Sequence, residues 1–254
     1  MRFSHVLVTR PRQESEELVA LLAPLGLQVV VQSAFDFQER DIAVEQPGVL
    51  AEIEHDKTPC LLIFTSPRAV KFGLKQLPHE LIKQQKIAAI GPSTANALSA
   101  AGVFVNVRPA SGFTSEALLD SLKKDTAGFI SPQKSAVILA APGGRKKIEE
   151  GLLRMGWTVQ PLMVYYRENS ALDKRALEQL GEASRILSVW TSGNAMKALS
   201  LRLQPAIWFQ ICGGEWLVIS SRLKRLARAY SPSQIHLSPG PANSDLLRAI
   251  RAAV

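Results

Sequence analysis

Short apolar runs alternate along the chain with stretches in which apolar residues recur every third or fourth position. The runs are Val6 to Val8, Leu27 to Val31, Leu61 to Phe64, Ile87 to Ile90, Val103 to Val107, Val137 to Ala140, Ile186 to Trp190, Ile207 to Ile211 and Leu217 to Ile219. Runs that are apolar on both faces suit parallel strands covered by helices on two sides. Between them, Leu18, Leu21, Leu22 and Leu25 form one stripe, and Ile148, Leu152 and Met155 form another, which predicts amphipathic helices. Gly26, Gly102 and Gly156 fall where such helices need a left-handed stop before a new strand. The alternation predicts an α/β protein in the doubly wound style.

The chain also repeats itself. Gly26 and Gly156 each open a strand after a helix, an offset of 156 − 26 = 130. Thr65-Ser66 and Thr191-Ser192 each end a strand, an offset of 191 − 65 = 126. Leu118-Leu119 and Leu246-Leu247 sit in similar helical patterns, an offset of 246 − 118 = 128, and half of the 254 residues is 127. Two similar doubly wound parallel-sheet lobes are therefore expected, with a cleft between them where a ligand site would form. Residues 33–46 are polar and acidic without helical periodicity, and residues 161–170 read as extended. These two stretches make a two-stranded β connection: residues 1–34 and 170–254 form a discontinuous first lobe, 51–160 the second, and 35–50 with 161–169 the connecting segments.

Composition narrows the class. Hydrophobic residues make up 46% of the chain and mean hydropathy is +0.06, while no apolar run approaches the roughly 18 residues of a membrane span. No membrane partner is expected. Arg10 and Arg12 interrupt any apolar export-signal core after Val8. Only Cys60 and Cys212 occur, too few for a disulfide framework or a four-ligand metal site, and a reducing cytoplasm fits best. The net charge of +8 favours an anionic partner. Nucleic acid would bring a dense basic stripe with exposed aromatics. The nearest approach, Arg222, Lys224, Arg225 and Arg228, has the spacing of a helix's wet face, so no nucleic-acid partner is expected. A small polyanion accounts for the charge equally well.

No dinucleotide fingerprint, Walker loop, nucleophile elbow or metal-spaced histidine cluster occurs. What recurs is small hydroxyl and amide chemistry where a strand feeds a helix: Thr9-Arg10-Pro11, Thr65-Ser66-Pro67, Gly91-Pro92-Ser93-Thr94, Pro142-Gly143-Gly144-Arg145, Thr191-Ser192-Gly193 and Ser220-Ser221-Arg222. In an open parallel sheet these positions lie at the carboxyl edge, where ligands bind, and helix-start amides hold anions without a basic side chain. Any single Ser or Thr there also serves as an N-cap, contributing ~1 kcal/mol. The whole set is better explained as an anion site.

The strings Val8-Thr9-Arg10-Pro11, Phe64-Thr65-Ser66-Pro67, Ile90-Gly91-Pro92-Ser93-Thr94-Ala95, Ser115-Glu116-Ala117-Leu118-Leu119 and Val164-Tyr165-Tyr166-Arg167, in that order over the full length, resemble the uroporphyrinogen-III synthase family. The resemblance implies closure of hydroxymethylbilane to uroporphyrinogen III, with loss of water and inversion of ring D through a spiro intermediate. It implies no cofactor, no metal, a polycarboxylate tetrapyrrole as the small-molecule partner, and a monomer. Thr65 and Ser66 match the family's first hydroxyl pair, Thr94 its Gly-x-x-Thr-Ala turn, and Thr191 with Ser192 the later counterpart. Ser220 with Arg222 matches the late Ser-x-Arg element. The tyrosine that assists departure of the hydroxyl maps to Tyr165, since Val-Tyr-x-Arg favours it over Tyr166, and a phenol keeps its proton at neutral pH. Thr9, Arg10, Ser93, Gly143, Gly144 and Gly193 complete the substrate-binding set. Two departures stand out: Cys212 to Trp216 replaces a simpler strand entry before Ser220, and Pro142-Gly143-Gly144-Arg145 lacks an arginine ahead of its glycine, a charge that Arg145 supplies instead. The rival reading is a two-lobed small-anion binding or sensor protein without catalysis, because architecture alone does not identify chemistry. A nucleotide-sugar transferase would need a phosphate-cradling glycine turn and an acidic metal ligand.

Overall fold

The computed structural model describes residues 2–55, 60–112, 114–124, 133–143 and 146–254. The chain forms two compact units: unit 1 comprises Met1–Phe37 with Glu168–Val254, and unit 2 comprises Gln38–Arg167. Unit 1 opens with β1 (His5–Val8), α1 (Arg12–Leu22) and β2 (Gln28–Val31), after which the chain enters β3 (Phe35–Glu39). Unit 2 follows with α2 (Ile42–Glu45), α3 (Pro47–His55), β4 (Leu61–Phe64), α4 (Pro67–Gln76), α5 (His79–Gln84), β5 (Lys86–Ala89) and α6 (Pro92–Ala100). It ends with α7 (Ser115–Lys123), β6 (Ser135–Ala140), α8 (Lys147–Arg154) and β7 (Thr158–Met163). The chain returns through β8 (Tyr165–Asn169) to α9 (Lys174–Glu182), β9 (Ile186–Trp190), α10 (Gly193–Arg202) and α11 (Pro205–Gly213). Strands β10 (Glu215–Val218) and β11 (Gln234–Leu237) alternate with α12 (Ser221–Ala227) and α13 (Asn243–Ala253).

Unit 1 carries a parallel sheet in the order β11-β10-β9-β1-β2, and unit 2 a parallel sheet in the order β5-β4-β6-β7. Strands β1, β4, β9 and β10 are buried at every position, because helices cover both faces of each sheet. In unit 1, Leu18 and Leu22 of α1 and Leu246 and Ile250 of α13 pack on Val6, Val8, Leu187 and Val189. The opposite face takes Leu180, Met196, Leu199 and Leu223 from α9, α10 and α12 onto Leu7, Ile186, Trp190 and Trp216. In unit 2, Leu118, Leu122, Ile148 and Leu152 of α7 and α8 cover Leu61, Ile63, Ala136 and Ile138. Each such side chain contributes ~1.5–3 kcal/mol on burial.

The two units share one topology in permuted chain order. A β-α-β unit, β1-α1-β2 in one and β6-α8-β7 in the other, lies beside a strand that arrives from elsewhere in the sequence, β9 or β4. Val103 to Val107, expected as a strand, forms only an isolated parallel bridge from Val107 to Ala88. That bridge stands outside β5, where unit 1 has β11 outside β10. The stretch is an edge, with one bridge in place of a ladder. The connection between units is the β3–β8 pair. It is bracketed by Arg40 N–H to Val164 O at 3.3 Å and Ser170 N–H to Ala34 O at 3.1 Å, a constant residue sum that makes the pair antiparallel.

Ile207 to Ile211, also expected as a strand, lies inside α11. Pro205 sits in its first turn, where a missing N–H is harmless. Ile207, Trp208 and Ile211 turn toward the unit 1 core while Phe209 stays exposed; five mostly apolar residues read equally well as either period. Trp208 meets Trp190 at 6.1 Å and Trp216 at 5.9 Å between ring centroids. The helix then turns into β10 at Gly214, where an added Cβ would lie 2.4 Å from the Ile186 carbonyl oxygen. Only glycine allows that approach. The expected left-handed stops are present, with φ of +66° at Gly26, +74° at Gly102 and +77° at Gly156.

β10 begins with a charge in an apolar sheet. Glu215 is 1% exposed, and its carboxylate receives Arg2 Nη2 at 2.9 and 3.1 Å and Arg185 Nη2 at 3.2 Å, with His236 Nε2 at 2.6 Å. Burial pushes this carboxyl up, but the His236 hydrogen bond and the Arg2 charge outweigh it, so the group titrates below its ordinary value. A depressed folded pKa contributes stability above the unfolded carboxylate range, and that contribution is lost as pH falls through the folded value. Glu215→Gln is therefore expected to lower the urea midpoint at neutral pH, with the gap to wild type closing in acid. A pH-independent gap would assign the loss to packing instead of charge.

Candidate functional site

The sequence-selected residues fall at the carboxyl edges of the two sheets, and each edge is described by itself. In unit 1, Thr9 follows β1, Thr191 and Ser192 follow β9, and Ser220 follows β10. β1 and β9 are adjacent strands whose following helices, α1 and α10, cover opposite faces. Such a switch point parts the loops and leaves a crevice. In unit 2, β4 and β6 form the corresponding pair, followed by Thr65-Ser66 and by the turn containing Gly143. Gly143 has φ of +72°. Gly144 and Arg145 lie outside the described residues.

The hydroxyls divide into those already engaged and those still available. Buried Thr9 donates through Oγ1 to Val189 O at 2.7 Å, and Thr65 Oγ1 donates to Leu139 O at 2.8 Å. Each ties its loop to the neighbouring strand. Ser66 Oγ accepts from Ala69 N–H at 3.1 Å and Ser220 Oγ from Leu223 N–H at 3.3 Å, capping α4 and α12. Arg10 extends Nη1 to Asn243 Oδ1 at 2.7 Å, holding the loop ahead of α13. By contrast, Ser192 occupies the N-cap position of α10 without a side-chain cap bond, and Gly91 does so for α6. Their first-turn amides keep their donor capacity. Thr191, Ser192 and Ser93 are at least partly exposed and Thr94 is buried, and none of their hydroxyls hydrogen-bonds among the described residues. Gly193 permits close packing: a Cβ there would come within 2.9 Å of Leu226.

The two tyrosines of β8 part company, as adjacent strand residues must. Tyr165 is 8% exposed, stacks on Phe72 of α4 with centroids 5.3 Å apart and planes 24° apart, and brings its hydroxyl to 3.4 Å from Ser66 Oγ. Tyr166 turns the other way, with Arg40 over its ring at 4.9 Å and Glu45 accepting its hydroxyl proton. Sequence reading missed Phe72, although its place five residues into a helix that starts beside Ser66 was a usable signal. It also missed Gln46, whose amide bonds both Met163 N–H at 2.9 Å and Met163 O at 2.7 Å and steadies the entry to β8. Chemically, the edges offer unpaired amides and hydroxyls suited to carboxylates and one phenol held beside a hydroxyl.

The sequence signature of the family described as "Uroporphyrinogen-III synthase HemD" matches residues 16–247. A uroporphyrinogen-III synthase of Escherichia coli (strain K12) is 31% identical over 257 residues, covering 97% of this chain and 99% of the relative. Among solved structures, a mutant uroporphyrinogen III synthase from the extreme thermophile Thermus thermophilus aligns with a TM-score of 0.62 at 19% identity over 98% of both chains. The uroporphyrinogen-III synthetase of Helicobacter pylori 26695 aligns with a TM-score of 0.62 at 15% identity over the whole of both chains. At those identities the structural likeness speaks for the fold.

The division of hydroxyls predicts a division of phenotypes. Ser66→Ala and Ser220→Ala should each cost about 1 kcal/mol of stability by removing a cap. Ser192→Ala, and Thr191→Ala with it, should leave the thermal midpoint nearly unchanged. Equal losses in a melting series would mean that Ser192 also caps its helix in solution.

Proposed function

The chain belongs to the uroporphyrinogen-III synthase family, and from that premise we propose that it cyclises hydroxymethylbilane to uroporphyrinogen III, with loss of water and inversion of ring D, as a cofactor-free lyase. The reading is carried by a family match over residues 16–247, which runs through both units and takes in every sheet-edge turn described above except Thr9-Arg10. The substrate's many carboxylates suit a chain of net charge +8 whose α6 and α10 start with uncapped amides. Thr191, Ser192, Ser93 and Thr94 bind these carboxylates, while Thr9, Thr65 and Arg10 hold neighbouring loops at the same two sheet edges. The protein works as a cytoplasmic monomer without a nucleic-acid partner; the two cysteines suit a reducing compartment, and the Arg222, Lys224, Arg225 and Arg228 cluster has the spacing of a solvated helix face.

Closure begins as the terminal hydroxymethyl C–O bond breaks and water departs. The Tyr165 phenol supplies the proton to that leaving oxygen, and Ser66 beside it keeps the phenol aimed. The carbon left behind then bonds to the substituted position of ring D, giving a spiro centre; the older bond from that position to the ring C bridge breaks, the bridge carbon bonds to the free α-position of ring D, and the proton lost there balances the one Tyr165 gave up. The remaining task is conformational: one folded coil of the flexible chain must be held so that direct closure loses the competition.

Incubation with hydroxymethylbilane and separation of the products tests the reading, with isomer III expected to predominate. A chain that only binds would yield isomer I alone. Tyr165→Phe should lower kcat more than it changes KM. Activity within twofold of wild type, ~0.4 kcal/mol of barrier, would reduce Tyr165 to a packing partner of Phe72.

A further inference from the structure

The opposite edge of the unit 1 sheet, where β1, β2 and β9 begin, holds a second concentration of chemistry that the reaction above does not use. An open cavity of about 530 Å³ lies there, lined by Arg2, Ser4, Gly26, Gln28, Ser184 and Arg185 together with Phe3. None of the described lining residues is acidic. The buried Glu215 behind it holds both guanidiniums through their Nη2 atoms, and Arg2 Nη2 also reaches Gln234 Oε1 at 2.8 Å. Neither Nε nor Nη1 of Arg2 or Arg185 makes a hydrogen bond among the described residues. Two permanent positive charges thus share one carboxylate, and each fork keeps donors to spare.

Glu215 anchors both forks before any ligand arrives, and the main chain that carries Arg185 is fixed as well. Arg185 is locked to Ser4 by Ser4 N–H to Arg185 O at 3.0 Å and by Arg185 N–H to Ser4 Oγ at 3.2 Å. The guanidinium carbons of Arg2 and Arg185 lie 5.6 and 5.8 Å from the centroid of the Phe3 ring, which is itself buried. Preorganised donors lose less entropy on binding. The C-terminal ends of the α1 segment, closing at Gly26, and of α9, closing at Ala183, face this edge and carry partial negative charge. An anion here must therefore be held by the arginines, not by backbone dipoles.

We propose that this cavity is an oxyanion site, taking the carboxylate or phosphate group of a small molecule, separate from the carboxyl edges that carry the reaction. The test uses the full chain at low ionic strength, with inorganic phosphate and succinate titrated in separate arms by calorimetry and by the arginine Nε resonances. At least one arm should saturate at a single site, and its identity separates a phosphate ligand from a carboxylate one. Arg185→Gln, which leaves Arg2 and His236 on Glu215, should weaken binding about tenfold with little change in thermal midpoint, and Arg2→Gln added to it should abolish saturation. Isomer III formation without added anion should stay at the wild-type level in Arg185→Gln. The proposal is overturned if neither anion saturates on the wild-type chain, or if saturation survives in Arg185→Gln at unchanged affinity.

Discussion

Strands that are buried on both faces set the terms for everything else in this protein. When β1, β4, β9 and β10 present only buried positions along their length, no side chain in the body of either sheet can meet a solvated ligand. Chemistry is pushed to the ends of strands, and the carboxyl ends are where helices begin and amides lack partners. The single charged exception within those strands, Glu215, sits at the first position of β10, where Arg2, Arg185 and His236 meet its carboxylate.

At these edges the same residue types do two different jobs, and geometry decides which. Ser66 and Ser220 satisfy their own helix amides, and Thr9 and Thr65 reach sideways to the next strand. The loops so fixed lead into α1, α4 and α12, and beside them at the same edges lie the uncapped starts of α6 and α10. A hydroxyl that caps a helix reduces that helix's appetite for an anion, so engaged and available groups support one another: the first give rigidity, the second affinity. The β3–β8 connection adds the remaining element, placing Tyr165 against Phe72 and Ser66 while Tyr166 is committed to Arg40 and Glu45.

The repeat in the sequence has its counterpart in two sheets of like topology, each with its β-α-β unit and its switch point. Their differences are at the outer edges. Unit 1 completes a fifth strand in β11, whereas Val107 manages one bridge. An outermost strand has one neighbour and half the ladder, and apolar character does not decide it: Val103 to Val107 is the more apolar edge and makes one bridge, whereas Gln234–Leu237 completes a ladder. β11 is four residues long and only partly buried, so its alternation of Gln234, Ile235, His236 and Leu237 is too short to stand out from the surrounding sequence.

What the amino-acid order determined by itself was local: the apolar runs that became central strands, the left-handed glycines, and the hydroxyl-bearing turns at strand ends, all of which depend on neighbours within a few residues. Alternation along a strand is local too and sets Tyr165 and Tyr166 on opposite faces, whereas the preference for Tyr165 came from the resemblance carried by Val-Tyr-x-Arg. The state of Ile207 to Ile211 was decided by packing, since the Trp190–Trp216 surface that receives Trp208 favours a helix that the local Pro205 only permits. The tertiary structure alone decided which hydroxyls are occupied, since Thr65 finds its acceptor 74 residues away and Thr9 its own 180 residues away. The Arg2–Glu215 pair, 213 residues apart, is beyond any periodicity. Backbone preference and hydrophobic spacing act over one or two turns of chain, whereas a hydrogen bond needs only proximity in space, and proximity exists only once the sheets have closed.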